Sequence, residues 1–168
     1  MYQQWSEWVR MVTAWGKLFR RELLETERFP DVKLHEDEAL IYKLLYRSRQ
    51  VAMVDGALYL YTANQGGLMA NRFTPERMTM LDILDERLAF YRENGETGDL
   101  IRFTQNRQFM FAAEYYLHTA DNKPFRRKAR KKQWALYWPL MRSSYWLRRK
   151  LVYTCAMLLP GHFKKLYF

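Results

Sequence analysis

Apolar residues recur every three or four positions over much of this chain, which is the spacing of one face of an α-helix. The pattern is clearest at Met78, Leu81, Leu84, Leu88 and Tyr91. Thr74 and Pro75 precede it as a typical N-cap and first helical residue. The spacing therefore predicts a helix that begins after Thr74 and ends at the ENGETG turn.

Similar patterns predict helices at residues 36–47 and 99–118, and two more in the tail. A break near Trp138-Pro139 separates the tail helices, and Pro160-Gly161 closes the second. The runs VAMV and ALYLY flank Asp55-Gly56, the usual sign of a tight hairpin turn. We expect an α+β fold that is predominantly α-helical, with a small β-hairpin packed against helices.

Basic and acidic residues are unevenly divided along the chain. Residues 1–121 carry 15 Lys and Arg against 18 Asp and Glu, whereas residues 122–168 carry 13 Lys and Arg and no acidic residue. A near-neutral body with a basic tail indicates an anionic partner. We expect one region at residues 1–95 and a helical region at 96–168, with the basic tail at 122–168.

The cellular setting is bounded by what the sequence lacks. Its first residues do not have the basic head and apolar core of a secretory signal. The longest apolar-rich stretch, LVYTCAMLLP, is about half of the roughly 20 residues that span a bilayer. Cys155 stands alone, so no internal disulfide can form, which fits a reducing compartment. We expect a cytoplasmic protein that does not cross a membrane.

The box HEDE, residues 35–38, opens the predicted helix at 36–47 with three acidic residues. Helical spacing places Asp37 on the face of Leu40, Ile41 and Leu44, and places Glu36 and Glu38 on other faces. An inward, ionised carboxylate in the first turn is suited to accept a proton. The alternative is that acidic residues simply favour helix N-termini.

Several kinds of chemical site are excluded by spacing. A zinc-protease helix needs His at both ends of a five-residue window, and Ala39 occupies the second position. No Gly-rich phosphate loop, Cys pair, Asp-x-Asp or Ser nucleophile elbow occurs in the chain. We therefore predict no metal site made by motifs of this chain.

An ordered series of short motifs runs through residues 14–95: Trp15 and Lys17, then Phe29-Pro30, the HEDE box, the LYLY run and the loop after it. This series resembles the C-terminal, acceptor-side half of bacterial family 2 glycosyltransferases, which build capsular polysaccharide and lipopolysaccharide. The resemblance implies a remnant of a GT-A-type fold without its Rossmann-like, nucleotide-binding half.

The resemblance also implies roles for single residues. Asp37 matches the general base that deprotonates the acceptor hydroxyl in an inverting transfer from a nucleotide-sugar to a polysaccharide or lipid-linked acceptor. Glu36 would shape the acceptor site, and Trp15 and Lys17 would line it. Trp15 could instead be ordinary packing and Lys17 a solvated charge.

Departures from the family pattern bear on whether the chain acts alone. The nucleotide-binding half carries the Asp-x-Asp that holds Mn²⁺ or Mg²⁺, so that metal is expected only for the complete enzyme. Gly16 stands where Asn is usual, Thr62 where the strand usually ends Tyr-Arg, and Gly67 where Ser is common. We therefore expect either a fragment of a longer enzyme, or a remnant or paralogue that no longer catalyses alone, such as a non-catalytic scaffold. A second chain that supplies nucleotide binding is an expected partner.

Cations alternate with aromatic residues in the tail, a mixture typical of helices in a membrane interface. We predict that these residues bind an anionic membrane surface at the inner side: Arg126, Arg127, Lys128, Arg130, Lys131, Lys132, Trp134, Trp138, Trp146, Arg148, Arg149 and Lys150. A solvated basic face over buried aromatics is the alternative. Nucleic-acid binding, through phosphate contacts and base stacking, is a less favoured rival.

Overall fold

The computed structural model describes residues 11–32, 34–56, 58–60, 62 and 73–167. Most of them are helical, which confirms the predicted fold class in its main feature. The helices are α1 (Arg21–Thr26), α2 (Glu36–Arg47), a 3-10 turn (Pro75–Met78), α3 (Thr79–Glu93), α4 (Asp99–His118), α5 (Lys123–Arg142), α6 (Leu147–Leu158) and α7 (Pro160–Tyr167).

The predicted hairpin is not found in the part of the chain that the structure describes. Residues 51–54 and 58–60 form no strand. Met53, Leu58 and Leu60 are largely exposed there, so the segment has little packing to support it, and an isolated two-stranded hairpin is marginal in water. Tyr61 and the loop that contains Gly67 lie outside the described residues.

Two compact units make up the chain, Met1–Ile83 and Leu84–Phe168. The core of the first unit forms on α2, where Leu40, Ile41 and Leu44 are buried together. Leu23 and Leu24 of α1 pack against this cluster. The end of α1 is also tied to α2 by an ion pair between Glu27 and Arg47, with 2.8 Å between the charged atoms.

The start of the helix predicted after Thr74 differs in detail from the prediction. A 3-10 turn at Pro75–Met78 comes first, and α3 follows directly. Thr74 is the N-cap and Pro75 the first helical residue, as predicted, but the Thr74 side chain makes no capping hydrogen bond. Instead, the Arg77 N–H donates to the Thr74 carbonyl, which closes the tighter turn with backbone atoms.

In the second unit, α4 and α5 form a helical hairpin. Each is 20 residues long, and they are joined by residues 119–122, so they run antiparallel. Asn122 caps α5 by accepting a hydrogen bond from the Phe125 N–H at 3.2 Å. The core of this unit joins four helices through Phe109, Ala113, Leu136, Leu140, Tyr153, Ala156, Met157 and Phe163.

Helix α5 continues through Pro139, so the break predicted at Trp138-Pro139 is wrong. Proline has no N–H and leaves the carbonyl four residues earlier, on Ala135, without its helical partner. Ala135 and Pro139 are both exposed, so this carbonyl is on the side that water reaches. Leu136 and Leu140 are buried and hold the helix on the core.

A polar cluster joins three helices of the second unit. The Asp85 carboxylate on α3 accepts a hydrogen bond from the Gln108 amide on α4 at 2.9 Å. The same carboxylate is paired with the Lys132 ammonium on α5.

Among the described residues, no helix is long and apolar enough to cross a membrane.

Candidate functional site

The segment around Trp15 lies directly against α2. Ala14 and Phe19 pack on the buried cluster of Leu40, Ile41 and Leu44. Because these two residues bracket Trp15 and Lys17, packing fixes both predicted site residues beside the helix that carries Asp37. The structure therefore brings together residues that stand about twenty positions apart in the sequence.

Gly16 gives this segment its sharp turn. Its φ is +70°, in the left-handed region that favours glycine. Nothing lies within 4 Å of where a Cβ would be, so the backbone angle alone restricts this position. Asn, which the resembling family usually has here, tolerates the same region better than other L-residues, so the departure preserves the turn.

Trp15 stacks on Tyr59. The ring centroids are 4.9 Å apart and the planes are inclined by 12°, so the two rings are nearly parallel. Trp15 is only partly buried, and Tyr59 is about half exposed. An aromatic pair with exposed surface offers the flat apolar face on which the pyranose ring of a sugar can rest.

Lys17 is fixed by a backbone carbonyl and is influenced by the charge of Asp37. Its ammonium group donates a hydrogen bond to the carbonyl of Thr13. Burial lowers the pKa of Lys17, and the nearby negative charge of Asp37 opposes that shift without cancelling it. The two side chains are therefore close enough to interact electrostatically.

Asp37 is partly buried in the first turn of α2. Its Oδ1 accepts a hydrogen bond from the Glu38 N–H at 2.7 Å. Burial raises the pKa of Asp37, the negative charges of Glu36 and Glu38 add to the rise, and backbone hydrogen bonds oppose it. A raised pKa makes the ionised carboxylate a stronger proton acceptor than a solvated one.

The two acidic neighbours of Asp37 have opposite environments. Glu36 is exposed, as its position on the helix predicts. Glu38 is buried, with 4% of its surface exposed, so the prediction that only Asp37 points inward is wrong. Tyr42, one turn later, is buried as well, so the covered face of α2 is wider than its apolar stripe. Helical spacing does carry a signal for this second inward carboxylate, because Ile41, Tyr42 and Leu45 follow Glu38 by three, four and seven residues.

His35 has the backbone conformation that ends the preceding loop. Its φ is +67°, and His35 is the one non-glycine residue with a positive φ in the described part of the chain. Left-handed backbone costs an L-residue roughly 1–2 kcal/mol. Such strain commonly accompanies functional sites, and here it stands two residues before Asp37.

No three His, Cys, Asp or Glu side chains come together as a metal ligand set in the residues that the structure describes. The divalent ion that the resemblance implies for a complete enzyme therefore finds no fitting set of ligands among them.

The predicted membrane-binding residues of the tail separate into two groups. Arg127, Lys128, Lys131, Trp134, Trp138, Trp146 and Arg148 are exposed. Arg126, Arg130, Lys132, Arg149 and Lys150 are partly buried. The structure therefore does not present the twelve residues as one surface.

Arg126 and Arg130 face the protein. The Tyr116 ring on α4 lies under both guanidinium groups, at 4.4 Å from Arg126 and 4.8 Å from Arg130. Arg130 also donates hydrogen bonds to the carbonyls of Ala156 and Met157, in the last turn of α6. It thereby caps a helix that has no basic residue in its own last turn. This role needs a contact across 26 residues, so local sequence could not reveal it.

The chain is similar over part of its length to a known protein. Over 86 residues, the chain is 33% identical to a protein named Glycosyltransferase GlyA, from Streptococcus pneumoniae serotype 4 (strain ATCC BAA-334 / TIGR4). The match covers 51% of this chain and 12% of that protein. This chain is thus similar to a glycosyltransferase over half of its length. No family model and no solved structure matches the chain.

Proposed function

We propose that residues 14–59 form the acceptor side of a glycosyltransferase of the family 2 type, with Asp37 as the general base. The observation that carries the proposal is the position of Asp37: a partly buried carboxylate with a raised pKa, beside Lys17 and the Trp15 segment. The similarity to a named glycosyltransferase supports it independently.

Each residue has a definite task in this proposal. The Trp15–Tyr59 pair supports the acceptor sugar ring, and Asp37 takes the proton of one acceptor hydroxyl. That oxygen attacks the anomeric carbon of a nucleotide-sugar, and the bond from this carbon to the diphosphate breaks with its electron pair on the diphosphate. Lys17 balances the charge of Asp37, and Glu36 borders the acceptor.

The partners of the proposed enzyme extend beyond this chain. The match covers 12% of the relative's length. In this proposal nucleotide binding belongs to another polypeptide or segment, and Mn²⁺ or Mg²⁺ is expected there. The acceptor is a polysaccharide or a lipid-linked glycan of capsule or lipopolysaccharide synthesis. We place the protein at the periphery of the inner membrane, on the cytoplasmic side.

Acceptor binding can be tested with the chain alone. Saturation-transfer NMR with a panel of methyl hexosides, N-acetylhexosamine glycosides and disaccharides measures which sugars contact the protein. We expect at least one sugar to bind, and Trp15→Ala to abolish its signal because the stacking surface is removed. Trp138→Ala, which removes an exposed tryptophan of the second unit, is the matched control and should retain the signal.

The outcomes of this experiment separate the alternatives. Sugar binding that survives Trp15→Ala would show that Trp15 does not line the site. No binding of any sugar in the panel to the wild-type chain would overturn the proposed acceptor site altogether.

A non-catalytic scaffold derived from such an enzyme is the competing function. A scaffold that keeps the acceptor site would bind the same sugars as the enzyme. The scaffold would differ from the enzyme in one respect. Asp37→Asn removes the proposed general base, so it would impair the enzyme but leave the activity of a scaffold in the cell unchanged. The variant therefore distinguishes a catalytic from a purely binding role.

A further inference from the structure

Helix α5 presents an apolar face that the protein leaves uncovered. Trp134 and Trp138 are 50% and 57% exposed and lie one turn apart. Arg127 and Lys131 extend the same face towards the start of the helix, and Arg142 extends it towards the end, since these residues follow one another at three- and four-residue spacing. The tryptophans are thus framed by cations along one line.

Helix α6 has an exposed apolar face of its own. Leu147, Leu151 and Leu158 share one side of the helix and are 73%, 60% and 67% exposed. The opposite side carries Tyr153, Ala156 and Met157 in the core. Trp146, at the N-cap, is exposed as well, and Arg148 stands beside it. Leucines in a row on a surface indicate a partner that covers them.

The charge around these faces determines which partner fits. Residues 122–168 carry 13 Lys and Arg and no acidic residue. A second copy of the chain docked through the same face would set cation against cation, which like-charge repulsion disfavours. The complementary surface is therefore anionic and also accepts apolar side chains.

Nucleic acid meets only the first of these two requirements. It would find cations for its phosphates and two rings for stacking. It would gain nothing from the leucines, which have neither a flat ring nor a hydrogen-bonding group. An anionic lipid bilayer meets both requirements, because its headgroups pair with cations while its acyl region accepts Trp and Leu side chains.

We propose that the exposed faces of α5 and α6, here called the lipid face, insert Trp134, Trp138, Leu147, Leu151 and Leu158 into an anionic membrane surface. Arg127, Lys131, Arg142 and Arg148 contact the lipid headgroups. The inference deepens the peripheral location given under the proposed function and rests on it to that extent, whereas transfer at Asp37 plays no part.

The lipid face differs from the basic tail as a whole, since some cations of the tail are bound to the protein. Arg126 and Arg130 lie on Tyr116, and Lys132 is paired with Asp85. These three contribute to the fold and do not contact lipid. The geometry thereby predicts which cations of a continuous basic sequence matter for binding.

Vesicle sedimentation with the full chain tests the apolar half of the proposal. Vesicles of phosphatidylcholine with about 30% phosphatidylglycerol supply the anionic surface, and pure phosphatidylcholine is the neutral comparison. We expect binding to the anionic vesicles, and a loss of at least tenfold in affinity in the double variant Trp134→Ala/Trp138→Ala. Phe103→Ala removes an aromatic ring of α4 that is also 50% exposed and should bind as the wild type does.

Single charge reversals test the second half of the proposal, which is the contact of the cations with lipid headgroups. Lys131→Glu should weaken binding to anionic vesicles several-fold, whereas Arg92→Glu, which changes net charge equally at an exposed position of α3, should not. Equal losses in both variants would show that net charge alone drives binding, and the lipid face would be wrong.

Two further results would overturn the inference. One is undiminished binding of the double tryptophan variant to anionic vesicles. The other is binding to a single-stranded oligonucleotide at concentrations that leave vesicles unbound, which would assign the surface to nucleic acid. Sugar binding in the NMR experiment does not depend on either result, so failure of the lipid face and failure of the acceptor site are distinguishable.

Discussion

The acceptor site and the lipid face depart from ordinary protein surfaces in opposite directions. Around α2, charged groups are drawn inward: Asp37 is partly buried, Glu38 is almost fully buried, and Lys17 is partly desolvated. On α5 and α6, large apolar side chains such as Trp138 and Leu147 are left in water. A folded protein avoids both arrangements unless something is gained from them.

The two arrangements favour different kinds of function. A carboxylate that is held in a desolvated place is prepared for a proton transfer, because its charged form has become a better base. Apolar side chains held in water are prepared for a partner that removes them from water. Under the two proposals, chemistry belongs to the first unit and attachment to the second.

The largest effect is expected from Asp37→Asn in the complete transferase. General-base catalysis contributes roughly 100- to 10,000-fold in rate, so transfer should fall by that order while acceptor binding persists. The measurement is kcat for release of nucleoside diphosphate, together with sugar binding by NMR. A rate within a few-fold of wild type would show that Asp37 is not the base, and Glu36→Gln, at the exposed neighbour, should lose far less.

The same variant has a pH signature in stability. The raised pKa of Asp37 means that the folded state binds this proton more tightly than the unfolded state does. The stabilisation from this residue is therefore complete below its unfolded value of 3.8 and is lost as pH rises through the folded pKa. Asp37→Asn should gain stability relative to wild type between about pH 4 and 7 in urea unfolding. A free energy of unfolding of Asp37→Asn that falls relative to that of the wild type as pH rises would contradict this prediction.

Truncation of leucines contrasts the two regions directly. Leu44→Ala removes a fully buried side chain from the α2 cluster and should lower the free energy of unfolding by about 2–5 kcal/mol. Leu151→Ala removes the same atoms from the lipid face, where they are exposed, and should change it by less than about 0.5 kcal/mol. Urea unfolding measures both, and a large loss for Leu151→Ala would mean that this leucine supports the fold.

Periodicity predicted the helices well because their patterns are local. Helices α2 and α4 have the bounds that the sequence indicated, and α5 begins where Asn122 can cap it. The prediction failed at Pro139, where burial of Leu136 and Leu140 outweighs the lost hydrogen bond. It failed again at residues 51–60, because strand pairing needs a partner that is not fixed by local sequence.

The sequence named candidate site residues but not all of their environment. The motif series selected Trp15, Lys17 and Asp37, and packing of Ala14 and Phe19 on α2 places all three near one another. Burial of Glu38 could have been inferred from Ile41 and Tyr42, which follow it at helical spacing, whereas the left-handed backbone of His35 could not. The contact of Arg130 with the end of α6 was hidden for the same reason.

A smaller effect tests the division of cations within α5. Arg130→Met removes the guanidinium that caps α6 and should cost about 1–2 kcal/mol of stability, since charged hydrogen bonds are lost. Lys131→Met, at the next position, removes an exposed charge and should be nearly neutral for stability. In vesicle binding the order reverses, with Lys131→Met the weaker binder. Equal effects of the two variants in either assay would mean that Arg130 and Lys131 lie on the same surface.

The smallest contrast uses two glycines, one in each unit. Gly16→Ala places a side chain on a backbone with φ +70° and should lower stability by about 1 kcal/mol, whereas Gly16→Asn should cost less. Gly161 is a residue of α7 with nothing within 4 Å of its Cβ position, so Gly161→Ala should raise stability by up to about 1 kcal/mol. Opposite signs in thermal unfolding would show that the turn beside Asp37 needs its left-handed backbone. Because the turn positions Trp15 and Lys17, Gly16→Ala should also weaken sugar binding, and Gly161→Ala should not.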